Sequence, residues 1–152
     1  MRPVLFITLC CLVCTVMAGL AGGWTNQNAS DSDYMVCDTT FHSNNLKKAW
    51  GASEGINDNA SNNGPYHMMP IKVLSAKSQV VAGTKHELEV LYGESSCKKG
   101  EMQAIELSSS NCQLRDGAAR HIYKVTVWEK PWENFEQFNF EKVRNVEPSE
   151  QF

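Results

Sequence analysis

The side chains best able to do chemistry in this chain are its histidines and cysteines, and their spacing assembles no reactive centre. His42, His67, His86 and His121 are scattered, and none belongs to an HExxH zinc motif. Past the N-terminal apolar run there is no Cys-x-x-Cys, and neither a Walker loop nor a serine-nucleophile arrangement is read. Cys37 and a distant histidine would form a nucleophilic pair only if the fold joined them, and nothing in the spacing asks for that. Each histidine reads better as a satisfied or exposed residue. The chain is therefore expected not to be an enzyme and to need no cofactor and no metal.

The chemistry on offer is apolar contact. Gln79-Val80-Val81-Ala82-Gly83 interrupts a long alternating run and ends in the residue best suited to a tight corner. Hairpin corners ordinarily take Gly, Asn or Asp, so Val80, Val81 and Ala82 are costly there unless something covers them. Pro131-Trp132 repeats the pattern between two later extended runs. Core packing is the plain alternative for Trp132, but a strand junction held by Pro131 suits exposure equally well. Two apolar tips from one sheet would make a ridge fit for a narrow, hydrophobic-walled groove.

The elements that must carry these tips follow from pattern. Met1-Arg2 precedes an apolar run from Pro3 to Val16, then small residues at Ala18, Gly19, Ala21 and Gly22. That is the layout of a removable signal peptide, residues 1–18, with a cut after Ala21 as the alternative. The run is short for a membrane span of roughly 20 residues. A secreted, extracellular protein with no membrane partner is expected. Residues 19–146 make one modest domain, and 147–152 a short acidic tail that reads as loosely held. The formal net charge of −3 and the lack of a basic cluster argue against nucleic-acid binding.

Once the leader is removed, Cys37, Cys97 and Cys112 remain. Cys97 and Cys112 flank a polar excursion between strands and form the natural disulfide, worth roughly 3 kcal/mol. Cys37 is left as a free or intermolecular thiol, or a small buried apolar residue. Asn28 and Asn59 stand in N-glycosylation sequons. Leu46, Ala49, Trp50 and Ile56 recur at helical spacing, with Asn44 or Asn45 able to cap the start. Tyr34, Cys37 and Phe41 share a second helical face, so one long helix or two short pieces both fit. Gly51 and Gly55 weaken such a helix by up to about 1 kcal/mol each. From Ile71 the period becomes two, with His86, Leu88, Val90 and Tyr92 on one side of a strand. Tyr123, Val125 and Val127 line one side of another, Met102–Leu107 is a weaker candidate, and Phe138 and Phe140 mark the last. One helix over such an antiparallel sheet gives an α+β fold.

In combination these motifs resemble the secreted type-2 cystatins, most of all the nematode forms. Gln79-Val80-Val81-Ala82-Gly83 is similar to the family's central QxVxG loop, Pro131-Trp132 to its second loop, and Leu20-Ala21-Gly22-Gly23 to its N-terminal trunk. Tyr66–Lys72 and Val127–Phe135 are similar to the nematode forms over longer spans. The resemblance implies a twisted antiparallel sheet wrapped around one main helix. It also implies reversible, competitive inhibition of papain-like cysteine proteases such as cathepsins L, S and B. Leu20 and Ala21 would occupy non-primed subsites, Gly22 would let the arm bend, and Gln79 to Gly83 would enter the middle of the cleft. Pro131 and Trp132 would pack on the primed side. The inhibitor would act as a monomer, with a domain-swapped dimer open to a hairpin of this kind.

Departures accompany the resemblance. No cysteine follows Cys112 to form the usual second disulfide, and residues 31–57 differ most from the expected helix. Some type-2 cystatins also inhibit legumain through an Asn in the loop after the helix, commonly within Ser-Asn-Asp. Here Ser61-Asn62-Asn63 stands at that place, with Asn62 as the P1-like residue. A polar turn into Gly64-Pro65 is the plain alternative. A secreted interaction protein that keeps the scaffold without inhibiting proteases is the competing function.

Overall fold

The structure, a computed structural model, describes residues 22–27 and 38–152. The signal segment, Leu20, Ala21, Asn28, Tyr34 and Cys37 lie outside these residues. The described chain runs β1 (Trp24–Gln27), α1 (Asp38–Asp58), β2 (Tyr66–Val81), β3 (Gly83–Lys98), a 3-10 helix η1 (Ala104–Ser109), β4 (Arg120–Lys130), a short 3-10 turn η2 (Pro131–Glu133) and β5 (Phe135–Val146). The five strands form one antiparallel sheet in chain order, with β1 short and the other four long. The α+β architecture expected from the sequence is the one observed. Among the described residues Pro70 lies where β2 pairs only with β3 and has no neighbour on its other side, so the missing N–H disrupts little.

The alternation in β3 and β4 sorts as the sequence suggests. Leu88, Val90 and Tyr92 join Tyr123, Val125 and Val127 beneath Ala49, Ala52 and Ile56 of the helix, with Met68, Val73 and Ala76 completing the core. Phe138 and Phe140 pack at its edge. Gly51 and Gly55 are explained by this contact. A Cβ on Gly51 would come within 2.6 Å of the Phe138 ring, and one on Gly55 within 2.4 Å of Phe140. The two helix-weakening residues are what let β5 approach the helix.

α1 is continuous over Asp38–Asp58, so Asn44 and Asn45 are interior residues and not caps. Asn45 is buried. At the other end Asn57 ties the helix to β2. Its Nδ2 donates to Met68 O at 2.9 Å, while its Oδ1 accepts the Met68 N–H at 2.7 Å, copying a strand pairing with a side chain.

Two further expectations are corrected. Met102–Leu107 is not a strand; its second half belongs to η1. Period two would put Ile105 and Leu107 on one face, yet Ile105 is 64% exposed and Leu107 only 2%. Ala104 and Leu107, three apart as a 3-10 helix aligns them, pack with Trp50, Met102 and the Cys97–Cys112 disulfide. That disulfide is formed as expected, with its Cα atoms 5.7 Å apart. The acidic tail is also held, not loose. The Arg120 guanidinium donates to the carbonyls of Glu147, Pro148 and Glu150, and Arg144 pairs with the Glu150 carboxylate.

Candidate functional site

Strand register gathers the two apolar corners at one end of the sheet. Val81 and Gly83 face each other across the β2–β3 turn, Thr84 pairs with Glu129, and Lys130 pairs with Phe135 across the β4–β5 turn. The N-terminal segment arrives at the same end, because Trp24 of β1 lies opposite Gln79. Val80 is 61% exposed, Val81 41% and Trp132 69%, so these side chains stand in solvent.

Each tip is fixed by local chemistry. Gly83 has φ of +105°, and a Cβ there would lie 2.3 Å from the Glu129 carbonyl oxygen, so both backbone and space exclude a side chain. The same contact seats the first tip directly on β4. The Trp128 indole N–H donates to Ala82 O at 3.0 Å and adds a second tie. Trp128 is itself held edge-on by Phe135, with ring centroids 5.2 Å apart. In η2, Pro131 sets the first position and Asn134 closes the turn at φ of +49°. The Trp132 indole N–H donates to Glu133 Oε1 at 3.2 Å, and Lys130 pairs with Glu133 at 3.0 Å. The hydrogen bond from Lys130 holds the Glu133 carboxyl below its ordinary range.

The trunk meets the first tip through Gly22. Its φ of +105° bends the chain, and its carbonyl accepts a bond from Gln79 Nε2 at 2.5 Å. Beneath the tips, His86 Nε2 lies 2.8 Å from Glu129 Oε1, and Lys48 of the helix pairs with the same carboxylate at 3.5 Å. Burial is the largest single influence on Glu129 and raises its pKa. His86 and Lys48 together outweigh it and hold the group below its ordinary range.

The remaining sequence candidates sit elsewhere. Asn62 is at the far end of β2, a strand of sixteen residues, so about 50 Å from the tips. It is buried, and its Nδ2 donates to Ile56 O at 3.4 Å and Asn57 Oδ1 at 3.3 Å, while Lys99 donates to its carbonyl. This inward amide differs from the presented P1-like residue that the sequence suggests. Asn59 is exposed, with its Oδ1 accepting from the Ser61 N–H at 2.9 Å. His67 is buried with Nε2 3.0 Å from Met102 O, and His121 is half-buried, its pKa lowered by burial and then by Lys142. Among the described residues no three His, Cys, Asp or Glu side chains cluster as a metal site.

A serine-nucleophile pattern is nevertheless present in letters, against the sequence reading. Gly51-Ala52-Ser53-Glu54-Gly55 spells G-x-S-x-G. It lies mid-helix with no strand before it, and Ser53 is 1% exposed with Oγ donating to Ala49 O at 3.2 Å. A nucleophile elbow needs a strand-to-helix turn and an exposed hydroxyl.

A cystatin-domain family profile matches residues 52–145. The chain belongs to the cystatin family. Cystatin cpi-1 of Caenorhabditis elegans is 44% identical over 150 residues, covering 95% of this chain and 97% of that one. Onchocystatin of Onchocerca volvulus is 34% identical over 116 residues, or 76% of this chain and 62% of the relative. Among solved structures, Al-CPI superposes with a TM-score of 0.58 at 30% identity, over 82% of this chain and 100% of that one. A salivary cystatin from the soft tick Ornithodoros moubata, at 22% identity and a TM-score of 0.60, supports the fold alone over 82% of this chain and all of its own. Cystatin membership assigns the general role of inhibiting papain-like cysteine proteases through a scaffold that is not an enzyme.

Proposed function

We propose that this cystatin is a secreted, reversible, competitive inhibitor of cathepsin L-, S- and B-type proteases, acting as a wedge in their active-site cleft. The observation that carries the reading is the meeting of three chain segments at one end of the sheet, with Val80, Val81 and Trp132 in solvent. Leu20 and Ala21 would fill non-primed subsites ahead of the bend at Gly22. Gln79 to Gly83 would occupy the centre, and Pro131-Trp132 the primed side. Such a wedge presents no scissile peptide, so it blocks without being consumed. Its tips are already tied to each other through Ala82, Trp128 and Glu129, so little freedom is lost on docking. The active form would be a monomer released by cleavage after Ala18, which keeps Leu20 and Ala21.

The legumain-directed role of Asn62 carries a condition, since its amide must first leave Ile56 and Asn57. It stays outside the main proposal.

The test is titration of the purified secreted protein against cathepsins L, S and B and legumain. Competitive inhibition of the cathepsins, without rapid cleavage of the inhibitor, is expected. Correctly folded protein that inhibits none of them at micromolar concentration overturns the reading and leaves the non-inhibitory interaction protein.

A further inference from the structure

We propose that Trp24 is a further protease-contacting residue, packing on the cleft wall between the arm and the first tip; the inference rests on the wedge reading above. Residues directly opposite in an antiparallel pair project to the same face, so Trp24 shares a face with its partner Gln79 and, one pleat back, with Lys77. Lys77 Nζ stands 4.8 Å from the indole centroid and is itself paired with Glu87. The ring is thus fixed by a strand pairing and by a cation on it, yet it remains 40% exposed.

A large aromatic held still in water loses little entropy when it is covered. Trp24 follows the bend at Gly22, whose carbonyl is bound by Gln79, and it stays partly open to solvent. It therefore adds exposed aromatic surface on the face that Val81 shares, one pleat beyond Gln79, at the end of the sheet that carries Trp132. The partner chemistry this fits is the apolar non-primed rim of the same papain-like protease. Tryptophan is among the residue types enriched at the energetic anchors of interfaces.

A purely local role, in which Trp24 only holds β1 down so that the arm points correctly, predicts different numbers. W24A is expected to weaken inhibition of papain at least tenfold, both in the secreted protein and in the same protein shortened to begin at Gly22. An effect confined to the longer protein means that Trp24 only positions the arm, and that overturns the proposal. Equal inhibition by W24A and parent overturns it as well.

Hydroxyl-radical footprinting of the unmutated protein provides the second measurement. In complex with papain carboxymethylated at its catalytic thiol, oxidation of Trp24 should fall several-fold, alongside that of Trp132. Protection of Trp132 without Trp24 sinks this inference and spares the wedge. Protection of neither, with a parent that fails to inhibit, sinks both.

Discussion

At the scale of single residues, function rests on side chains placed where their chemistry is unfavourable. Trp132 is 69% exposed on a turn set by Pro131, and solvent gains nothing from it. W132A is expected to leave the fold intact and weaken cathepsin binding by about 2 kcal/mol, roughly 30-fold, in a comparison of inhibition constants. Unchanged constants across the protease panel would remove Trp132 from the interface. Asn62 gives the opposite signature. N62A deletes two bonds inside the helix–loop junction, so it should cost about 1 kcal/mol of stability, seen as a lowered thermal midpoint, with cathepsin inhibition unaffected. A midpoint equal to the parent's would show that the amide is not holding the loop. The tip residues were readable in the sequence because valine and tryptophan at strand corners contradict turn chemistry. The burial of Asn62 was not readable, because it depends on Asn57 and Lys99 brought from elsewhere in the chain.

At the scale of elements, the Lys48–Glu129–His86 group joins α1, β3 and β4 directly beneath the two tips. The sign of its pH dependence follows from the lowered Glu129 pKa. A carboxylate depressed on folding contributes stability above its unfolded value, near 4.5, and that contribution is lost as pH falls through the folded value. E129Q should therefore reduce stability modestly, by about 1 kcal/mol, at neutral pH, and the gap to the parent should close as pH falls below that unfolded value. Denaturant midpoints measured from pH 3 to 7 check this; a gap that stays constant into acid would show that the charge is not responsible.

Strands were legible by period two where one face is buried, as in Leu88, Val90 and Tyr92. The helix was less legible, because its buried face is built largely from Ala49, Ala52 and Ser53, which carry little hydrophobic signal. η1 was misread for a related reason: six residues hold too few periods to separate a spacing of three from a spacing of two.

At the scale of the molecule, the sheet keeps chain order from β1 to β5, so its turns alternate between two ends. The β2–β3 and β4–β5 turns share one end, which is why corners about fifty residues apart in sequence become neighbours. The sequence suggested this through the similarity of its motifs more than through pattern, since alternation alone does not fix strand order. The docking of the tail by Arg120 and the register that places Trp24 beside the first tip both needed the three-dimensional arrangement.

The distribution of tryptophan also gives the protein a built-in optical probe. Of its four indoles, Trp50 and Trp128 are partly buried, while Trp24 and Trp132 are exposed and lie at the proposed binding end. Emission collected on the long-wavelength side of indole fluorescence, where water-exposed rings emit, should be weighted toward those two in the free inhibitor. Mixing with a protease labelled at its catalytic thiol by an energy acceptor should quench that emission at the rate of association, so binding can be followed in real time without altering the inhibitor. W132A should lose the part contributed by Trp132, and the further loss when W24A is added to it measures the part contributed by the second exposed indole.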